Sequence, residues 1–143
     1  MKRILLIATG GTIASAEDGR GLSPALTGAE LAACVPEVEG LCELEILQLM
    51  NIDSTNMRPA DWLRIAGAIE ERYAAFDGFL ILHGTDTMAY TSSMMSFMLR
   101  NVPIPVVFTG SQVPIAQPLS DAPLNLSCAF AMAASSTPGV FVA

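Results

Sequence analysis

Apolar and polar positions along the chain fall into two recurring patterns. Short, almost unbroken apolar runs occupy residues 3–8, 44–49, 79–82, 105–108 and 140–143. Each is too short for a helix, and most are apolar on both faces, as strands covered by helices on both sides are. Between them, apolar residues recur at helical spacing. Thr27-Gly28-Ala29-Glu30 has the T-x-x-E form of a capping box and opens a short helix ending near Val35-Pro36. Pro59 suits the first position of a helix, with Asp61 in its first turn and Trp62, Ile65, Ala66, Ile69 and Tyr73 on one apolar face. Residues 88–101 form the next helix, whose Met88, Met94, Met95 and Met98 read as core filler. Ser120-Asp121 caps a last helix over 123–134. Strands alternating with helices predict an α/β fold, a parallel sheet with helices on both faces.

The most informative stretch runs from Leu80 to Thr87. The apolar run is opened by the turn signal Asp77-Gly78 and stops at His83-Gly84. Thr85-Asp86-Thr87 follows, and each of these can cap a helix. A hydroxyl and a carboxylate thus sit where a strand ends and a helix begins, the edge at which open α/β sheets bind ligands. Other strands deliver similar loops. The first ends in Thr9-Gly10-Gly11-Thr12, the second in Asp53-Ser54-Thr55 and the fourth in Thr109-Gly110-Ser111. Residues 14–22, small, polar and charged with Gly19 and Gly21, are expected to form a mobile surface loop, ordered by ligand.

Composition narrows the class. At 143 residues with 52% apolar content, the chain is long enough for one domain with a real core. A net charge of −7 without a basic cluster argues against nucleic acid and anionic membrane surfaces, and no apolar run approaches a membrane span. Cys34, Cys42 and Cys128 are scattered, with no C-x-x-C pair, and His83 is the only histidine. No metal site is expected from them, and idle thiols fit a reducing cytoplasm. The start imitates a signal peptide, with Lys2-Arg3, an apolar run and Ala14-Ser15-Ala16. The run at residues 4–8 is shorter than the roughly 7–15 residues of such segments and is interrupted at Thr9-Gly10-Gly11-Thr12.

Several chemistries are excluded by spacing. GGTIAS lacks the G-x-G-x-x-G of dinucleotide sites, and no G-K-[ST] or G-x-S-x-G occurs. His83 lies within a strand and reads as a core histidine. What remains is threonine chemistry: a hydroxyl activated by a neighbouring base, a carboxylate at Asp86 to orient an amine, and backbone N–H groups of glycine-rich turns to hold an oxyanion.

ATGGTIAS (8–15) and LHGTDTMAYT (82–91) resemble the two signature segments of bacterial-type L-asparaginases. NIDSTNM (51–57), TGSQVP (109–114) and SDAPLNL (120–126) resemble loops of the same family, and HGTDTMAYT and TGSQ are most similar to its cytoplasmic type I branch. The resemblance covers essentially the whole chain, as the family's N-terminal domain, with a flavodoxin-like, Rossmann-like parallel sheet. It implies hydrolysis of L-asparagine to L-aspartate and ammonia without a cofactor or metal. It implies Thr12 as nucleophile, Thr85 as second catalytic threonine and Asp86 as the anchor of the substrate's amino group. Ser54 and Thr55 match the positions that hold the substrate's α-carboxylate and amino end. Ser111 matches a position whose backbone faces the amide, and the oxyanion sits on backbone N–H groups around Gly11-Thr12 and Gly84-Thr85.

Two departures stand out. The family lysine that pairs with the second threonine would fall beyond Ala143, as would the C-terminal domain. Residues 1–143 are therefore expected to be part of a longer chain and inactive alone. Leu22 also occupies the place of a tyrosine that helps activate the nucleophile. The resemblance implies a cytoplasmic homodimer or homotetramer when full length. Two other readings remain: a glutamine-preferring or tRNA-linked amidase on the same scaffold, and a non-catalytic amino-acid-binding domain.

Overall fold

The structure, a computed structural model, describes residues 1–11, 13, 15–17, 22–24, 33, 35–36 and 40–143. Thr12, Cys34, most of the expected loop at 14–22 and most of the expected helix opened by Thr27 lie outside the described residues.

The five apolar runs form one parallel sheet. In chain order its strands are β1 (Lys2–Ala8), β4 (Cys42–Gln48), β5 (Gly78–Leu82), β6 (Pro105–Thr109) and β7 (Gly139–Val142), and the order across the sheet is β4-β1-β5-β6-β7. Counting only these five, that is 2-1-3-4-5, the flavodoxin-like doubly wound order, whose switch point lies between the first and third strands. Two three-residue strands, β2 (Ser15–Glu17) and β3 (Leu22–Pro24), pair antiparallel, so part of the segment expected to be a loop is a small hairpin.

Among the described residues, three helices cover the sheet: α1 (Pro59–Glu70), α2 (Thr85–Met98) and α3 (Ala122–Ala133). Alternation along the strands divides the core. Ile4, Leu6, Leu80, Leu82 and Val107 face α3 and its Leu126, Ala129 and Phe130. Leu5, Ile7, Phe79, Ile81 and Phe108 face Ile65 and Ile69 of α1 and Met95 of α2. Every residue of β5 and β6 is buried, which explains their unbroken apolar reading. β4 differs. It lies at an end of the described sheet, and only Cys42 in it is fully buried; Leu44 packs on the α3 side and Leu47 on the side of α1 and α2, while Ile46 is exposed.

α2 starts at Thr85, three residues before the expected Met88. The first N–H groups of a helix need no intrahelical acceptor, so Thr85-Asp86-Thr87 occupy the first turn rather than precede it. Gly84 takes the cap position, at φ −65° and ψ 142°, and Asp86 places a negative charge at the positive end of the helix.

Candidate active site

The switch point between β1 and β5 brings the two signature loops together. Thr9 is fully buried and donates both its N–H and its hydroxyl to the Leu82 carbonyl, at 3.1 and 2.6 Å. The chain then turns through Gly10 and Gly11, at φ 104° and 100°, a region that L side chains avoid. Gly11 lies flat against the start of α2. A Cβ there would come within 2.5 Å of the Gly84 nitrogen and 2.6 Å of its Cα. No residue larger than glycine fits that approach without moving backbone.

The loop after β4 closes on the same point. Ser54 begins a short 3-10 turn (Ser54–Asn56) and is buried. A Cβ on Gly84 would lie 2.5 Å from the Ser54 hydroxyl, so Gly84 is held between Gly11 and Ser54. The Thr87 hydroxyl donates to the Ser54 carbonyl at 2.8 Å and ties α2 to this turn. Asp53 caps the turn: its carboxylate accepts from the Thr55 N–H and the Thr55 hydroxyl, both at 2.9 Å. The expected ligand-binding hydroxyl of Thr55 is thus donated to a neighbour on an exposed turn.

The loop after β6 completes the cluster. Gly110 packs against the His83 carbonyl and lies next to the Thr85 side chain. The Ile115 N–H donates to the carbonyl of Ile13, joining this loop to the one after β1. Ser111 is buried and its hydroxyl donates to the Val113 carbonyl at 2.7 Å. Its side chain shapes the loop, which leaves the backbone as the part available to a ligand.

Of the residues singled out from sequence, Gly11, Ser54, Gly84 and Ser111 on their loops and Thr85 in the first turn of α2 are therefore gathered at one edge of one sheet. Asp86 is exposed in the first turn of α2 and Thr55 stands on the adjoining turn. Thr12 lies outside the described residues. His83 is fully buried beneath the site. Its Nδ1 lies 2.7 Å from the Gly84 carbonyl and its ring meets Phe108 edge-on at 6.0 Å. Burial depresses its basicity, and the bond to the carbonyl opposes this only in part.

Two residues that sequence reasoning treated only as a cap or family loop have a larger part. Asp121 and Asn125 reach from α3 to the loop after β6. The only signal was their spacing of four, which places both on one helix face. An open groove of about 520 Å³, lined by Ile69, Glu70, Tyr73 and residues 98–103, lies at the opposite end of the sheet and contains none of these residues. No group of three metal-binding side chains occurs among the described residues, and none of the described helices is long and apolar enough to cross a membrane.

Residues 3–143 match the family described as "Asparaginase, N-terminal". The chain is 46% identical to an L-asparaginase of Thermococcus kodakarensis, over 99% of this chain and 43% of that protein. It is 41% identical to one component of the glutamyl-tRNA(Gln) amidotransferase of Pyrococcus abyssi, over 99% of this chain and 33% of that one. Among solved structures, a probable cytoplasmic L-asparaginase from Campylobacter jejuni superimposes with a TM-score of 0.88 at 33% identity, covering 99% of this chain and 44% of that one. The chain spans less than half the length of these relatives.

Proposed function

We propose, from the premise that this chain belongs to the asparaginase family, that it is the N-terminal catalytic domain of a longer amidohydrolase acting on L-asparagine. The observation that carries this reading is the meeting of Gly11, Ser54, Gly84 and Gly110 at the switch point between β1 and β5.

In this reading Thr12 attacks the side-chain amide carbon of asparagine. The oxyanion that forms is held by backbone N–H groups at the Gly11–Thr12 turn and at the start of α2, where unpaired N–H groups and the helix dipole favour negative charge. Collapse expels ammonia and leaves a β-aspartyl ester on Thr12, and water then hydrolyses the ester. A covalent step divides one difficult displacement into two easier ones. Thr85 moves protons across the pocket, assisted by a lysine from the remainder of the full-length chain. Asp86 pairs with the substrate ammonium, Ser54 and Thr55 receive its α-carboxylate and amino end, and the backbone at Ser111 meets the amide. The reaction needs no metal or cofactor. The full-length protein is a cytoplasmic homodimer or homotetramer with a second, C-terminal domain.

The amidotransferase component among the relatives supports a second reading, in which the same chemistry releases ammonia from glutamine for a tRNA-linked reaction. The acidic net charge of −7 favours a free amino acid over a nucleic acid partner for this domain. Ammonia release by the full-length protein from asparagine and from glutamine, measured side by side, decides between them. Failure to release ammonia from either overturns both.

A further inference from the structure

The loop after β6 is shaped from outside, by the start of α3. Both carboxylate oxygens of Asp121 accept from the Gln112 N–H, at 3.1 and 3.0 Å, and one also accepts from the Val113 N–H at 3.1 Å. One helical turn on, the Asn125 amide donates to Asp121 at 3.0 Å and to the Gly110 carbonyl at 2.9 Å. The Ser120 hydroxyl donates to the Val113 carbonyl at 2.9 Å. Asp121 makes no side-chain capping bond to its own helix. Ser120 does that, accepting from the Ala122 N–H at 3.1 Å. The Asp121 carboxylate therefore bridges Asn125 of α3 and the loop after β6, and the bonds from Gln112 and Val113 hold its carboxyl below the usual range.

The position of this loop matters because Gly110 is packed on the start of α2. A Cβ on Gly110 would lie 3.5 Å from Thr85 Cγ2 and would collide with the His83 carbonyl. Any shift of Gly110 moves the surface beside Thr85.

We infer that Asp121 and Asn125 form a clamp that positions the Gly110–Ser111 backbone opposite Thr85 for the reaction. The clamp rests on the amidohydrolase reading given above. Both are positioning residues that act through the loop. A loop loosened by a fraction of an ångström binds substrate nearly as before but places the amide poorly in the transition state, so the clamp acts on kcat more than on KM.

The test uses the full-length protein and two variants. Asp121→Asn keeps the shape but replaces one accepting oxygen with a donor that repels the Gln112 N–H. Asn125→Ala removes the bond to Gly110 and leaves the bonds of Asp121 to the backbone. Asp121→Asn is expected to lower kcat about 10- to 100-fold with KM within about threefold, a scale typical of small misplacements. Asn125→Ala acts in the same direction and more weakly, and the two effects combine less than additively because they act on one loop. Wild-type kcat, within twofold, in both variants overturns the inference. If Asp121→Asn does not fold, Asn125→Ala decides alone. Amide hydrogen exchange tests the clamp without reference to activity. Asp121→Asn must raise exchange at Gln112 and Val113 about tenfold while β5 and β6 keep their protection. Unchanged protection overturns the clamp even if kcat falls. A wild-type protein that releases no ammonia overturns the parent reading and the catalytic role of the clamp with it, while the exchange result still stands for the loop.

Discussion

At the end of the sheet where the strands begin, the surface is joined by charges. Lys2 pairs with Asp77 at 3.4 Å and Arg3 with Glu45 at 2.5 Å, and the Arg3 guanidinium lies 5.0 Å over the Phe76 ring. All four charged side chains are between 42% and 56% exposed, so water and salt weaken each pair. At the end where the strands finish, contact is made by backbone, glycine and hydroxyl: Gly11 on Gly84, Gly84 on Ser54, and Thr9 on the Leu82 carbonyl. Gly78 aside, where a Cβ would collide with the Ala133 carbonyl, the first end tolerates substitution because none of its charged pairs depends on an exclusive fit. The second does not, because backbone approaches leave no room for a side chain, and unpaired N–H groups at a helix start serve a ligand only in one geometry.

The sharpest way to break this contrast is at the proposed nucleophile. Thr12→Ala should lower kcat by roughly 10³-fold, with KM changed little, the pattern left when a transition-state interaction is lost. Steady-state ammonia release by the full-length protein measures it. A variant with near-normal kcat would mean that the hydroxyls at this end only hold the fold together. Mass spectrometry of a trapped ester sharpens the assignment: an adduct on Thr85 with Thr12 unmodified would reverse the two threonine roles.

The next largest effect concerns packing. Gly11→Ala must place a methyl group against Gly84 at a positive φ, which should destabilise by about 2–4 kcal/mol from strain and overlap together. Gly67, inside α1, has nothing within 4 Å of its missing Cβ. Gly67→Ala should instead stabilise by about 0.5–1 kcal/mol. Urea unfolding of the two variants checks both signs, and equal effects would show that the strand-end approach is not tight.

A third expectation is a pH dependence beneath the site. The folded His83 imidazole resists protonation below its ordinary value near 6.5, whereas the unfolded one does not. Below about that pH the unfolded state binds a proton that the folded state refuses, so this group's contribution is full above 6.5 and declines as pH falls toward the folded pKa. His83→Gln removes the titration and should flatten this slope. A wild-type stability that stays level from pH 7 to 5 would contradict it.

The smallest effect is expected at the other end. Lys2→Ala should change stability by about 0.5 kcal/mol or less, and high salt should erase even that difference. A loss of several kcal/mol would remove the distinction between the two ends.

The same contrast governs how much was legible in advance. The five strands were visible as short apolar runs because a covered strand must be apolar on both faces, a local requirement. The strand-end loops were visible because glycines, hydroxyls and carboxylates interrupt those runs. Residues 42–48 carry polar residues among the apolar ones, because a strand at an end of the described sheet is only partly covered. The start of α2 fell three residues early because capping residues also serve as a first turn.

What the sequence alone determined is where the five strands of the parallel sheet and its described helices lie, to within a few residues at their ends; the hairpin of β2 and β3 it did not show. Hydrophobic period and turn residues are local properties, readable within a window of about ten residues. What only the tertiary structure decided is who meets whom. The register Leu6 to Leu80 joins residues far apart in the chain, and no local pattern encodes that β1 lies between β4 and β5 so that Gly11 rests on Gly84. The direction of the Asp121 carboxylate is of the same kind. Its sequence neighbourhood suits a helix cap, but the N–H groups of Gln112 and Val113 arrive through the fold and take its lone pairs. Hydrogen-bond partners are fixed by which backbone groups packing leaves unpaired nearby, and packing is a property of the whole chain.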